Sequence, residues 1–294
     1  MRSALLGGAA ALVLLAGCGG SSSAEDPAAG GDGAGGARDG LTVVTTSHPL
    51  EYVASTVAGD RAAVSNLVAP GADSHDAEIS TRQLADVTGA DVVVHLSGLQ
   101  PAVDDALSTR PPAHLVDAAR YADDERDPHF WLDPVRMADL GEDVAAELSE
   151  VDPDHAAAYA AGAGELRQRM EALDADYAGA LAGCRDAALV TSHEAFGYLA
   201  GRYGLRQVGI AGIDPSVEPS PARIRDVLEV ARENAVTTIF FESTANPAVA
   251  EKLAAELGVR TAVLHPVERV DADEDYLGLM RENLDALRSG LACS

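Results

Sequence analysis

The chain has 294 residues, of which 47 are acidic and 21 are basic, so its formal net charge is −26. Such a charge argues strongly against nucleic acid as a partner, because phosphates would be repelled, and it is compatible with a cation ligand. The roughly 250 residues from Leu41 onward are enough to build two hydrophobic cores.

The N-terminal residues 1–17 have the pattern of a secretory signal peptide, in which Arg2 precedes an apolar stretch from Ala4 to Ala16. This stretch is too short to span a membrane. It closes with Leu15-Ala-Gly-Cys18, which resembles the lipobox of bacterial lipoproteins, where the cysteine is lipidated and becomes the mature N-terminus. We therefore expect lipidation of Cys18. The alternative is an ordinary signal peptide that leaves Cys18 as a free thiol.

Residues 18–40 are predicted to be the lipidated cysteine and a flexible tether. From Gly19 to Gly40 the sequence is mostly Gly, Ser, Ala and Asp without a large apolar side chain, so it cannot offset the entropy cost of folding. We expect nothing later in the chain to span a bilayer. The predicted location is therefore extracytoplasmic, with the lipid as the only attachment to the bacterial cell membrane.

Residues 41–152 are predicted to form the first of two α/β lobes. The predicted strands are Leu41–Thr46, Val64–Val68, Asp91–Leu96 and His114–Asp117. Helical patterns between them cover Glu51–Ala58, Thr81–Val87 and Pro101–Leu107. Repeated βα units of this kind predict a parallel sheet.

Residues 153–183 are predicted to connect the lobes as one long helix. The stretch from Asp154 to Ala182 contains no proline, and apolar residues recur along it at helical spacings of three and four. A helix of that length would measure roughly 40 Å. Such a connection restricts hinging, so we expect small closure motions on ligand binding.

Residues 184–294 are predicted to form the second α/β lobe. The predicted strands are Ala187–Thr191, Arg206–Ile210, Thr237–Phe241 and Thr261–Leu264. The predicted helices are Phe196–Arg202, Pro221–Glu233, Pro247–Leu257 and Asp273–Leu291. Cys184 and Cys293 form an even pair in a compartment that permits disulfides, so a bridge between them is one reading and two buried free thiols are the other.

Four of the eight histidines lie in loops that a two-lobed α/β protein would direct into the cleft: His75, His129, His193 and His265. Four neutral imidazoles would make a tetrahedral nitrogen site suited to Zn²⁺. Their wide spacing matches no short metal motif, so four unrelated loop histidines remain an alternative from spacing alone. The histidines read as structural are His95, His114 and His155, whereas His48 stays open because it ends a strand that borders the ligand crevice.

From Leu41 to the C-terminus the chain resembles the metal-specific substrate-binding proteins of ABC importers, the zinc and manganese group with a rigid connecting helix. The matching segments are Gly71-Ala-Asp-Ser-His75, Asp127-Pro-His-Phe-Trp-Leu-Asp-Pro134, Thr191-Ser-His-Glu-Ala-Phe-Gly-Tyr-Leu-Ala200 with Tyr203-Gly204, Glu218-Pro-Ser-Pro221 and Phe240-Phe-Glu-Ser243. The resemblance implies that His75, His129 and His193 are metal ligands and that position 265 completes the set.

Two positions depart from that family pattern. At position 265 the family usually carries a carboxylate, whereas this chain has histidine, so His265, water or another carboxylate could be the fourth ligand. Zinc-type members often carry a long His- and Asp-rich loop before the second ligand, but residues 117–128 are short and contain no histidine. Auxiliary metal capture by such a loop is expected to be absent or weak.

The resemblance implies a monomer that binds Zn²⁺ as its transported ligand and passes it to an ABC importer permease, with a metallochaperone as a candidate further partner. Manganese or another divalent metal is the alternative, although manganese-type members tend to carry a carboxylate at the position of His193. Other classes considered are a surface adhesin and a zinc-dependent hydrolase. The chain is predicted not to be an enzyme, because Gly197 stands where a His-Glu-x-x-His motif starting at His193 would need its second histidine.

Overall fold

The computed structural model describes residues 40–75, 79–124, 126–242, 248–291 and residue 293. The predicted signal peptide, the predicted lipidation site at Cys18 and nearly all of the predicted tether therefore lie outside the described residues. Among the helices that are described, none combines the length and the apolar character that crossing a membrane requires.

The first lobe is a parallel sheet of four strands. They are β1 (Leu41–Thr45), β2 (Ala62–Asn66), β3 (Val92–His95) and β4 (Leu115–Asp117), in the order β2-β1-β3-β4. The helices between them are α1 (His48–Ala58), α2 (Thr81–Gly89) and α3 (Pro101–Thr109). Strand β3 is buried along its whole length, which explains its unbroken run of valines.

Two long helices follow the first sheet: α4 (Pro134–Val151), which packs on the first lobe, and α5 (Ala156–Ala180), which leads into the second lobe. With 25 residues, α5 is about 37 Å long. Its buried stripe is the one expected from the sequence, including Leu166, Met170 and Tyr177. On the side facing α1, a Cβ at Gly162 would overlap the backbone of that helix. This close packing ties the connecting helix to the first lobe.

The second lobe repeats the same strand order. Its strands are β5 (Ala188–Thr191), β6 (Arg206–Gly209), β7 (Thr238–Phe241) and β8 (Arg260–Val263), in the order β6-β5-β7-β8, all parallel. Its helices are α6 (Gly197–Tyr203), α7 (Pro221–Glu233), α8 (Ala248–Leu257) and α9 (Tyr276–Gly290). The prediction of two parallel α/β lobes joined by a long helix is confirmed.

The segment after β8 packs against the first lobe as well as the second. The ring of Tyr276 stacks on Tyr52 of α1 with ring centroids 5.1 Å apart, and the Tyr177 hydroxyl of α5 donates to the carbonyl of Met280 over 2.6 Å. One hydrophobic core therefore runs from the first lobe through α5 to α9. A shared core of this kind restricts motion between the lobes.

The chain end is joined covalently to the start of the second lobe. Cys184 and Cys293 form a disulfide whose Cα atoms are 4.6 Å apart, closing a loop with a sequence separation of 109 residues. Of the two readings that the cysteine count allowed, the structure contains the bridge.

Candidate metal centre

Three of the four predicted ligands meet where the carboxyl ends of both sheets face each other. His75 follows β2, His129 precedes α4 and His193 follows β5. The ring centroids of His75 and His129 are 5.6 Å apart, and those of His129 and His193 are 5.5 Å apart. In open parallel sheets this edge is where ligands bind, because strand order reverses there and leaves a crevice.

A carboxylate that was not among the predicted ligands lies at the centre of these rings. Glu268 Oε1 is 2.6 Å from His75 Nε2 and 2.8 Å from His129 Nε2, while Oε2 is 4.0 Å from His193 Nε2. The Glu268 side chain is only 1 % exposed. Three imidazoles from separate segments of the chain thus converge on one buried acid.

The structure does not bring His265 to this cluster. Its Nε2 lies 3.5 Å from Glu282, and its backbone N–H and carbonyl bond to the side chain of Asn283. His265 lies two residues beyond the end of β8 and is held beside α9 by Asn283, so the chain reaches the cleft only three residues later, at Glu268. The cluster therefore contains a carboxylate, Glu268, three residues beyond the position where the resemblance implied the fourth ligand.

The backbone at Val267 turns the chain so that Glu268 enters the cleft. Val267 has a φ of 62°, a left-handed conformation that is strained for a β-branched residue, and it is buried. The segment is also bonded to the loop carrying His75: Ser74 Oγ donates to the Glu268 carbonyl over 3.1 Å and Gly71 N donates to the Val270 carbonyl over 2.8 Å. Glu268 is thereby fixed relative to His75.

Two further carboxylates orient the histidine rings. Nδ1 of His129 donates to Asp127 Oδ1 over 2.7 Å, and Nδ1 of His193 donates to Glu242 Oε1 through a short hydrogen bond. A carboxylate can only accept, so each Nδ1 carries the proton and each Nε2 is left to face the cluster. Both acids lie inside segments quoted above for the resemblance, but neither was predicted to have this role.

Several polar atoms of the cluster are buried without a hydrogen-bond partner in the described part of the chain. They are Nε2 of His75, Nε2 of His193 and Oε2 of Glu268. His75 Nε2 is close to Glu268 but is not aligned for a hydrogen bond. An unsatisfied buried polar group costs about 1–3 kcal/mol, so three at one point indicate that the site is completed by a ligand. Imidazole nitrogens with a carboxylate oxygen are zinc donors.

The ionisation states of His129, His75 and Glu268 depend on one another. Burial disfavours the charged form of His129, but the negative charge of Glu268 and the hydrogen bond to Asp127 outweigh it and raise the pKa of His129 to about 9. Burial likewise opposes ionisation of Glu268, yet the facing His129 and His75 hold its pKa well below the usual range. The pKa of His75 is raised because Glu268 outweighs its desolvation. The metal-free site therefore stores a proton beside an ionised acid.

The cluster borders solvent through a cavity of about 740 Å³ in the cleft. His75 lies in its wall together with Asp127 and Asp214. The His75 side chain is 21 % exposed, whereas His129 and His193 are essentially inaccessible. A cation entering from solvent would therefore meet His75 before the two deeper histidines.

The remaining histidines have local partners outside this cluster. His48 Nδ1 faces the amide of Asn66 at 3.2 Å, His114 Nδ1 is 2.8 Å from Glu147 and His155 Nδ1 is 2.7 Å from Asp152. His95 is buried between two aspartates at 3.8 and 3.9 Å. Within the described residues none of the four belongs to the groups of closely spaced ligand atoms around Glu268.

Glu194, the residue after His193, faces away from the cluster. Its Oε1 accepts from Arg223 Nη2 over 2.6 Å, and the same guanidinium donates to the carbonyl of Gly209. An ion-paired carboxylate in this position is not poised to activate a metal-bound water.

The chain is similar in sequence to proteins of known function. The sequence profile of the periplasmic component A of zinc-uptake complexes matches residues 43–290. The chain is 33 % identical to the zinc-binding lipoprotein AdcA of Streptococcus pneumoniae over 276 residues, covering 84 % of this chain and 55 % of AdcA. It is 31 % identical to the high-affinity zinc uptake system protein ZnuA of Bacillus subtilis, covering 86 % of this chain and 88 % of ZnuA. The chain thus spans about half the length of AdcA.

Solved structures show the same fold. The Zn(II)-bound ZnuA-like domain of S. pneumoniae AdcA superposes with a TM-score of 0.74 at 35 % identity, covering 85 % of this chain and 98 % of that domain. The laminin-binding protein Lmb of Streptococcus agalactiae, described as having adhesin and metal-transporting activity, superposes with a TM-score of 0.78 at 32 % identity, covering 85 % of this chain and 99 % of Lmb.

Proposed function

Because this chain belongs to the family of periplasmic zinc-uptake components, we propose that it captures Zn²⁺ in the cleft and delivers it to an ABC importer. The observation that carries the proposal is the convergence of three imidazole Nε2 atoms on the buried carboxylate of Glu268. The ligand set we propose is His75, His129, His193 and Glu268. It replaces the set with His265 that the sequence suggested.

The donor set favours zinc over manganese. Three nitrogens and one oxygen suit a tetrahedral Zn²⁺, whereas Mn²⁺ prefers sites richer in oxygen. The carboxylates of Asp127 and Glu242 support this choice, because they orient the imidazoles and increase their basicity. Copper or nickel would still bind in vitro, as expected from the general affinity order of divalent metals.

The same geometry supports binding without turnover. A zinc hydrolase needs an open coordination position and a nearby general base. Here Glu194 is paired with Arg223, and the proposed ligand set already supplies four donors. The zinc is therefore cargo and not a catalytic cofactor.

The wider context of the proposal follows from the family and the N-terminal sequence. We propose that Cys18 is lipidated and holds the protein at the outer face of the membrane, where it acts as a monomer. The importer permease would receive the metal, and a metallochaperone is a candidate donor. Labelling with a radioactive fatty acid precursor and a Cys18→Ala control tests the anchor.

Zinc titration of purified, metal-free protein tests the ligand set. We expect one zinc per chain, retained in competition with excess manganese. Glu268→Gln keeps the side-chain shape but removes the charge, and it should lower zinc affinity by more than the ten- to hundredfold typical of an outer-shell partner. His265→Ala is the matched control and should bind like the wild type. Weak zinc binding by His265→Ala together with wild-type affinity in Glu268→Gln would restore His265 as the fourth ligand. Absence of zinc binding by the wild type would refute the function.

A further inference from the structure

The proposed ligand set leaves part of the segment around His193 without a role. Gly197 and Tyr198 begin α6, one turn after His193, and belong to a motif that the sequence analysis singled out. Both contact Asp127, which lies in the connection between β4 and α4 of the first lobe and accepts a hydrogen bond from His129. The start of α6 in the second lobe therefore touches the residue that orients a ligand of the first lobe.

Gly197 makes room for the Asp127 carboxylate. A Cβ at position 197 would lie 2.7 Å from Asp127 Oδ2, closer than real Cβ contacts. The φ of Gly197 is not in the positive region, so the backbone alone does not require glycine here. Asp127 cannot simply turn aside, because its other oxygen accepts from both the backbone N–H and Nδ1 of His129, over 3.1 and 2.7 Å.

Tyr198 holds the backbone of the same segment. Its hydroxyl accepts from the N–H of Asp123 over 2.8 Å and of Asp124 over 3.3 Å, and it donates to the Asp127 carbonyl over 3.3 Å. The guanidinium of Arg136 lies over the tyrosine ring, 4.8 Å from its centroid. One side chain of the second lobe thus satisfies three backbone groups of the short segment before His129.

We propose that Gly197 and Tyr198 are positioning residues for metal capture, which act across the cleft by fixing Asp127 against His129. This inference rests on the proposed zinc-binding function and extends it. His129 is then held in its binding orientation by the second lobe as well as by its own. Outer-shell partners of metal-bound histidines commonly contribute ten- to hundredfold to metal affinity, because they fix ring orientation and ligand basicity.

Gly197→Ala tests the contact with Asp127, and Gly201→Ala is its matched control. Gly201 lies on the same helix with nothing within 4 Å of an added Cβ. Alanine favours helix over glycine, so neither change should lower the melting temperature of the metal-free protein through helix propensity. We expect Gly197→Ala to weaken zinc binding by up to the ten- to hundredfold that loss of the Asp127 contact itself would cost, with faster zinc release to a chelator, and Gly201→Ala to bind like the wild type.

Tyr198→Phe provides a second test that adds no atoms. It removes the hydroxyl but keeps the ring under Arg136, and we expect zinc affinity to fall about tenfold. Tyr203→Phe is the control on the same helix, because it removes a hydroxyl that donates to Asp174 over 2.9 Å, with no bond to Asp127. Zinc affinity of this control should equal that of the wild type.

A double-mutant cycle separates positioning from a general structural effect. If Gly197 acts through Asp127, then Gly197→Ala should cost little further zinc affinity once Asp127→Ala is present. Additive losses, or unchanged affinity in both Gly197→Ala and Tyr198→Phe while the wild type binds zinc, would overturn the inference alone. A wild type that binds no zinc would overturn the proposed function together with it.

Discussion

Zinc binding should be coupled to release of a proton from His129. The pKa of His129 is raised to about 9, because Glu268 and Asp127 outweigh its burial, so this imidazole is protonated in the metal-free protein at neutral pH. Zinc needs the unprotonated Nε2. A proton bound with a pKa of about 9 lowers the apparent zinc affinity at pH 7 by about a hundredfold relative to its limit at high pH.

Isothermal titration calorimetry measures this coupling. Binding enthalpies at pH 7 in buffers with different ionisation enthalpies should give at least about one proton released per zinc, with any excess coming from His75. Affinity should rise about tenfold per pH unit from pH 7 to pH 8 and level off above about pH 9. The dependence should become steeper as the pH falls further, because His75, whose pKa is also raised by Glu268, then becomes protonated as well. Zinc affinity that is independent of pH between 7 and 9, with no proton release, would refute this reasoning.

The same proton affects the stability of the metal-free protein. A pKa of about 9 in the folded state, against an ordinary value of 6.5, corresponds to about 3 kcal/mol. Because the folded-state pKa is raised, this stabilisation is complete below about pH 6.5 and is lost as the pH rises through about 9. Urea denaturation of metal-free protein at pH 6 and pH 9 should show the loss, and saturating zinc should remove it.

Three further predictions concern the surroundings of the site. Trp131 is the only tryptophan and its ring centroid is 5.2 Å from that of His129, so zinc binding should change its fluorescence; an unchanged spectrum at saturation would contradict the geometry. Replacing Cys184 and Cys293 by serine should cost about 4–5 kcal/mol in denaturant unfolding, yet leave zinc affinity within about twofold. Gly162→Ala should destabilise the fold by about 1–3 kcal/mol through overpacking against α1, whereas Gly164→Ala, with nothing within 4 Å of its Cβ, should not.

The sequence was informative about the fold because each lobe is built from short local patterns. Runs such as Val92–His95 are buried on both faces, and the alternation with helices fixes a parallel sheet. The stripe along α5 was equally clear. Helix α4 was not among the predicted elements, although a proline in its first turn is a signal for a helix start.

Three of the four proposed ligands could be predicted from the sequence, because each lies in a segment that carries the resemblance to the family. The fourth proposed ligand could not be predicted, because its identity depends on which residue after β8 enters the cleft. His265 is retained at the strand end by Asn283, and the left-handed turn at Val267 then directs Glu268 inward. A sequence shows neither that turn nor its direction. Two signals could have identified the fourth ligand. The resemblance implied a carboxylate, and a glutamate stands three positions beyond His265.

The carboxylates that accept hydrogen bonds from the proposed histidine ligands were not predicted from the sequence for a similar reason. Asp127 is two residues from His129 and could have been suspected as its partner, but Glu242 reaches His193 from a different strand. Such contacts depend on which strands are neighbours and on their register. Here β5 pairs with β7, which places Glu242 beside the residues that follow β5.

The most direct test of the ligand assignment is a crystal structure of the zinc-loaded protein with anomalous data collected at the zinc edge. We expect a single strong peak in the cleft, about 2.0–2.2 Å from Nε2 of His75, His129 and His193 and from the carboxylate of Glu268. A peak outside the cleft, or one that leaves Glu268 uncoordinated and binds His265 instead, would contradict the account.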